Sequence, residues 1–338
     1  MSETPHTLPA LGRRFVEANG LRFGVTTCER ETRGGRLALL LHGFPECWRS
    51  WTHQIPALAE LGYRVWAPDL RGYGESDCPP RVADYALETL TEDVAGLVDA
   101  AEADSVTLIG HDWGAIIAWT FAVRKLRPLE RLVIMNVPHP GAAAEKFSWR
   151  QLLRSWYMIV FQLPRLPEAV VRAFGARAFA EGLRDGMRNP GNVDGETLDL
   201  IAANLGNRER LTGMLHYYRA LIRGGGARRQ SRLGFPEIET PTLMLWGVND
   251  LALTVETTFA THRYVRDLTL RYLPEASHFV QQDAPVLVNR LLCAYLRGEP
   301  VPESGEAEGV RVTTSPLPSE SAAGSTSQGV QAQRTDGR

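Results

Sequence analysis

Apolar residues along most of the chain come in short continuous runs. "RLALLLHG" at 36–43 is the first. "YRVWAPD" (63–69), "SVTLIGH" (105–111), "RLVIMNV" (131–137), "PTLMLWG" (241–247) and "LTLRYLP" (268–274) repeat its character. Runs of this length are what strands covered on both faces require. Helical patterns lie between them, near 51–61, 87–101, 115–125, 255–265 and 286–296. Strands alternating with helices predict the α/β class with a mostly parallel sheet. Only the start differs: "RRFVEANGLRFGVTTCE" alternates on both sides of Asn19-Gly20, a hairpin signal.

One interval breaks the alternation. From Pro138 to Phe235 the chain is rich in helix formers and Arg and shows no clear strand. It is too long for a loop. It predicts a helical insertion, a lid over the C-terminal edge of the sheet, where ligands of open α/β sheets bind. The expected organisation is a first part of the core at 1–137, the lid at 138–235 and a second part of the core at 236–298. The remainder, 299–338, is rich in Ser, Gly, Pro, Glu and Thr and has no aromatic residue. Such a segment buries too little apolar area to offset its ordering entropy and is expected to be disordered.

Composition adds bounds. With 338 residues, 44% of them hydrophobic, the chain can bury a substantial core. A formal net charge of -2 gives no electrostatic reason to expect a nucleic-acid partner. No apolar run reaches the length of a membrane span, and the N-terminus lacks the apolar stretch of a signal peptide. Cys28, Cys47, Cys78 and Cys293 are scattered without a paired spacing. A cytoplasmic protein with free thiols is the expectation.

The candidate chemistry centres on "GHDWGA" at 110–115. Gly-x-x-x-Gly after a strand and before a helix is the nucleophile-elbow arrangement, with Asp112 where serine is familiar. "HGFP" at 42–45 ends the first core strand, so Phe44 N–H and Trp113 N–H form the natural oxyanion pair. Asp250 in "LWGVND" and His278 in "EASHF" each follow a later strand. The order nucleophile, acid, histidine is that of the α/β hydrolases. His42 and His111 flank this group and fit a supporting, hydrogen-bonding part. A carboxylate is ionised at neutral pH and needs no base to attack an sp3 carbon bearing a strained or good leaving group. The product is an enzyme ester, which water activated by His278 could hydrolyse. An epoxide oxygen would then need a proton donor. The insertion offers Tyr157, Tyr217 and Tyr218, which read equally well as packing aromatics.

Taken together, "HGFPECWRSW", "DLRGYGESD", "GHDWGAIIAW", "NVPHP", "WYMIVFQLPRLPE", "HYYRA", "LWGVND" and "EASHFVQQD" resemble the epoxide hydrolases of the α/β-hydrolase fold, from roughly residue 14 to 297. The resemblance implies Asp112 as nucleophile, Asp250 and His278 as the water-activating pair, and Tyr157 and Tyr218 as ring-opening tyrosines. A one-residue shift would exchange Tyr218 with Tyr217. It also implies a cis peptide at Phe44–Pro45, no cofactor and no metal. Haloalkane dehalogenases carry a similar elbow, and a non-catalytic receptor on the same fold is a further alternative. Phe44, which has no side-chain donor for a halide, and the tyrosine motifs favour the epoxide. The expected partners are a lipophilic epoxide and water, in a monomer or homodimer. Trp48, Trp113, Trp156, Phe161 and His42 are expected around its pocket.

Overall fold

A computed structural model describes residues 10–29, 33–146 and 148–303. Among these residues eight strands form one sheet: β1 (Gly12–Ala18), β2 (Leu21–Cys28), β3 (Arg36–Leu41), β4 (Arg64–Pro68), β5 (Ser105–His111), β6 (Arg131–Met135), β7 (Thr242–Gly247) and β8 (Leu268–Leu273). Their spatial order is β1-β2-β4-β3-β5-β6-β7-β8. β1 and β2 form the antiparallel hairpin that Asn19-Gly20 predicts, and β3 to β8 run parallel. The residues of β3 after Arg36 and all of β4 and β7 are buried, which is why their sequences carry no polar alternation.

Helices cover both faces. α1 (Gln54–Glu60) shares an apolar layer with the C-terminal helix, and α2 (Leu87–Ala101) and α3 (Trp113–Arg124) cover the other face. Between β6 and β7 the chain forms α4 (Pro140–Glu145), α5 (Trp149–Arg154), α6 (Trp156–Val160), α7 (Leu166–Phe174), α8 (Ala176–Asp185), α9 (Gly195–Gly206), α10 (Arg208–Ile222) and α11 (Gly226–Arg232). This is the helical insertion. α12 (Val280–Asp283) and α13 (Pro285–Arg297) follow β8. No helix among the described residues is long and apolar enough to cross a membrane.

Three expectations need correction. The stretch 255–265 is not one helix but two single 3-10 turns, Val255–Thr258 and Thr261–Arg263. Thr257 Oγ1 donates to Thr254 O at 2.5 Å and Thr258 Oγ1 to Val255 O at 2.7 Å, so these side chains occupy carbonyls that a longer helix would use. β8 is not covered on both faces. It is the sheet edge, and five of its six residues are only half-buried. Residues 299–303 are not loose. Arg271 donates to Val301 O at 2.7 Å and Pro302 O at 2.9 Å, and Val301 packs on the α1/α13 layer. The edge strand thus gains a cover from the start of the tail. The rest of the expected disordered tail, 304–338, lies outside the described residues.

Candidate active site

The strand order reverses at β3, which lies between β4 and β5. Crevices at such a point, past the carboxyl ends of the strands, are where open α/β sheets hold ligands. Leu41 pairs with Gly110, so the turn after β3 and the turn after β5 leave the sheet side by side. Asp112 sits in the second turn at φ 48° and ψ −120°, a conformation costly for a residue with a side chain. The turn is tight because its flanks are glycine. A Cβ on Gly114 would lie 2.0 Å from Leu41 O, and one on Gly110 would lie 2.5 Å from Gly114 O. A Cβ on Gly43 would lie 2.3 Å from the Asp112 Cβ, so the first turn too needs glycine to approach.

In this geometry Phe44 N–H donates to Asp112 Oδ1 at 2.7 Å. Trp113 opens α3, so its N–H is among the helix-terminal amides that lack an acceptor in the preceding turn. The Phe44–Pro45 peptide is cis, as the resemblance implies. His42 lies beneath the turn, fully buried. Its Nε2 accepts from Leu70 N–H at 3.1 Å and its Nδ1 donates to Gly43 O at 3.0 Å, a neutral ring. Burial dominates and lowers its pKa, against the pull of nearby Asp69.

The acid and the histidine arrive from later strands. Asp250 lies just past β7 and His278 just past β8. His278 Nδ1 is 2.7 Å from Asp250 Oδ2, and its Nε2 is 3.5 Å from Asp112 Oδ2. Asp250 is almost completely buried and fully engaged. Its Oδ1 accepts from Ala252 N–H and Leu253 N–H, and its Oδ2 also accepts from Asn136 Nδ2 at 2.9 Å. Burial opposes the charge on both aspartates. His278, together with Asn136 and the Leu253 N–H at Asp250 and with His111 and the Phe44 N–H at Asp112, outweighs it in each. Both carboxyls stay below the ordinary aspartate value. Burial also disfavours a charged His278, but the two carboxylates on either side hold its pKa well above the ordinary histidine value.

Sequence reasoning missed two residues that hold this group. Glu46, one residue past "HGFP", is buried beneath the site. It accepts from Gly43 N–H at 3.2 Å, from Gln282 at 2.5 Å and from Gln281 at 3.3 Å, and its Oε2 is 2.7 Å from His111 Nδ1. His111 Nε2 in turn donates to the His278 carbonyl at 2.8 Å. One carboxylate therefore fixes the turn after β3 and, through His111, the loop that carries His278. Asn136, at φ 51°, bonds Gly247 N–H and Asp250 and ties β6 to the acid. "HGFPE" and "NVP" placed both residues at strand ends, but only the spatial order of the strands reveals what they reach.

Above the sheet edge lies a cavity of about 510 Å³, walled largely by the insertion and lined overwhelmingly by apolar groups. Asp112 and His278 form its floor, and Phe44, Trp156, Tyr157, Phe161 and Tyr218 stand in its walls. The Tyr157 and Tyr218 rings are 6.1 Å apart. Burial raises the pKa of both phenols, and the charge of Asp112 adds to it, so both keep their protons at neutral pH. Tyr217 does not reach the cavity: its OH donates to Arg71 O at 2.8 Å, on the other side of α10. Adjacent helical residues point about 100° apart, which resolves the one-residue ambiguity in position.

Three expected wall residues are elsewhere. His42 is under the turn, as described. Trp48 follows the chain's departure from the "HGFP" turn and lines a separate cavity with Arg13 and Asp69. The Trp113 indole is buried behind the wall, edge-on to Tyr217 at 5.2 Å and to Tyr218 at 5.0 Å, because α3 turns it away from the opening.

A parallel sheet bearing an elbow aspartate after β5, an acid after β7 and a histidine after β8 defines an α/β hydrolase. Residues 39–285 match the family described as "alpha/beta hydrolase fold". The chain is 36% identical over 291 residues to the AB hydrolase superfamily protein YfhM of Bacillus subtilis (strain 168), covering 85% of this chain and 98% of that protein. It is 36% identical over 301 residues to Epoxide hydrolase 4 of Mus musculus, covering 86% and 81%. The crystal structure of Epoxide Hydrolase A from Mycobacterium thermoresistibile superposes with a TM-score of 0.73 at 28% identity, covering 87% of this chain and 100% of that one. The chain belongs to the α/β-hydrolase fold family and, within it, to the epoxide hydrolases.

Proposed function

We propose that this protein converts an apolar epoxide and water to a vicinal diol, with the insertion acting as lid. The observation that carries the reading is the pair of protonated phenols, Tyr157 and Tyr218, in one apolar cavity with the Asp112 carboxylate. Asp112 Oδ attacks a ring carbon, the carbon–oxygen bond of the epoxide breaks, and one of the tyrosines gives its proton to the departing oxygen. An ester on Asp112 results.

Ester formation also removes one of the two negative charges that hold the proton on His278. His278 then gives that proton to the tyrosinate, restoring the phenol. Neutral His278 takes a proton from water, and the hydroxide attacks the Asp112 carboxyl carbon. Phe44 N–H and Trp113 N–H hold the oxyanion. The intermediate collapses to the Asp112 acid and the diol alkoxide. The alkoxide takes the proton from His278, and Asp112 returns its own to His278, closing the cycle. Asp250 keeps the ring oriented throughout.

Incubation with styrene oxide and separately with 1-bromobutane tests this. Diol from the first is expected. Bromide release from the second, with no diol from a panel of epoxides, assigns a dehalogenase instead.

A further inference from the structure

We propose that the outer face of the insertion docks on an anionic lipid surface, with the mouth of the Asp112 cavity facing the lipid. The first observation is the face itself. About half of the large apolar side chains that are exposed among the described residues fall between Trp149 and Phe174. On α7, Leu166, Val170 and Phe174 repeat every fourth residue along one stripe, and Phe174 is 74% exposed. Val171 and Pro167 on the same helix point inward and are buried. α5 presents Trp149, Leu152 and Leu153 outward, followed by Trp156 on α6. A helix packed on a core needs one apolar side. Here the second side is apolar too, and clustered exposed apolar side chains mark surfaces that bind a partner or a membrane.

The second observation is charge. From Lys146 to Phe174 the chain has one Lys and four Arg against one carboxylate, Glu168, which the Arg219 guanidinium already binds at 2.9 Å. Beside the apolar stripe lies a second cavity of about 690 Å³ lined by Arg165, Arg172, Arg208, Arg219 and Arg223. Among the described residues Arg165, Arg172, Arg208 and Arg223 make no ion pair. His216, also in its wall and buried, has an Nδ1 without a hydrogen-bond partner. Unpaired guanidiniums around a concavity fit the oxygens of a lipid phosphate. Tryptophan, leucine and phenylalanine on one side with arginine around them is the composition of a segment that lies in the lipid interface.

The third observation is continuity. Trp156, Val170 and Leu251 are both exposed on this face and part of the wall of the Asp112 cavity. A lipophilic molecule dissolved in the lipid would thus enter the cavity without crossing water.

The test uses the full chain and vesicles of phosphatidylcholine with and without phosphatidylglycerol. Co-sedimentation with the anionic vesicles is expected. L153S combined with F174S, both exposed and outside the Asp112 cavity, should weaken it about tenfold or more. R172E combined with R223E should do the same and abolish the difference between the two vesicle types. Thermal melting confirms that the variants fold. The readout is binding, so its failure leaves the reaction at Asp112 untouched. Wild-type protein that ignores anionic vesicles overturns the proposal. So does a wild-type dimer in sedimentation equilibrium that L153S/F174S converts to monomer without changing vesicle binding, since a second copy then covers this face.

Discussion

At the scale of single residues, the two adjacent tyrosines of α10 point to different places: one lines the Asp112 cavity and the other is bonded behind it. Tyr218 faces Asp112 across the cavity, and Tyr217 bonds the Arg71 carbonyl. Tyr218→Phe and Tyr157→Phe should each slow ring opening by roughly 10²-fold, the contribution of one positioned proton donor. Single-turnover measurement of diol formation reads this. Tyr217→Phe should leave the rate within about twofold and lower stability by about 1 kcal/mol, the net value of its hydrogen bond. Equal rate losses in all three variants would show that the Tyr157 and Tyr218 hydroxyls are not proton donors and that the losses come from disturbed packing. His278→Gln should stop the cycle after ester formation. Intact-protein mass spectrometry after styrene oxide should then show one substrate-sized adduct, which tryptic mapping places on Asp112. Asp112, Asp250 and His278 were open to sequence reasoning because residue type and strand-end position suffice to nominate them, whereas Tyr157 and Tyr218, on helices of the insertion, were nominated only through the family resemblance. Glu46 was open to neither route, since its partners lie as far along the chain as Gln282 and only the folded sheet brings them together.

At the scale of elements, the interior strands were the most legible. A strand buried on both faces must be a continuous apolar run, and β3, β4, β5, β6 and β7 are. β8 deceived because an edge strand whose flank is covered by residues 299–303 carries much the same apolar content as a central one. The 255–265 stretch deceived because its apolar spacing is helical while its threonines compete for the backbone. The elbow was legible through its glycines, and their closeness sets the next expectation. Gly114→Ala should cost roughly 4 kcal/mol or more, because the new methyl meets a backbone carbonyl that β3 holds in place. A urea melt measures it. Unchanged stability would mean that the elbow has room for a methyl between α3 and β3.

At the scale of the whole molecule, pH acts through a histidine remote from the reaction. His139 begins the insertion, stacks on Tyr264 at 4.7 Å and accepts from Gly141 N–H on its Nδ1. Burial lowers its pKa to about 4. The folded state therefore keeps it neutral while the unfolded chain takes up a proton below pH 6.5. Stability from this group is full above that pH and falls as acid is added down to about pH 4, by up to ~3 kcal/mol. His139→Asn keeps an oxygen for the Gly141 amide. In chemical melts between pH 7 and 4 it should show a shallower loss than the parent protein. Matching slopes would mean that other groups govern acid unfolding.

The insertion between β6 and β7 separates the site along the chain as well as covering it in space. Asp112, Glu46 and Asn136 precede it, and Asp250 and His278 follow it. During synthesis Asp112 emerges while the acid and the histidine that activate water, Asp250 and His278, are still unmade. A protease cut after α10 and before β7, followed by loss of the C-terminal piece, would leave a fragment with Asp112 and both tyrosines but without Asp250 and His278, a carboxylate able to be alkylated once with no means of activating water. Such a fragment would be a trap for reactive epoxides rather than a catalyst.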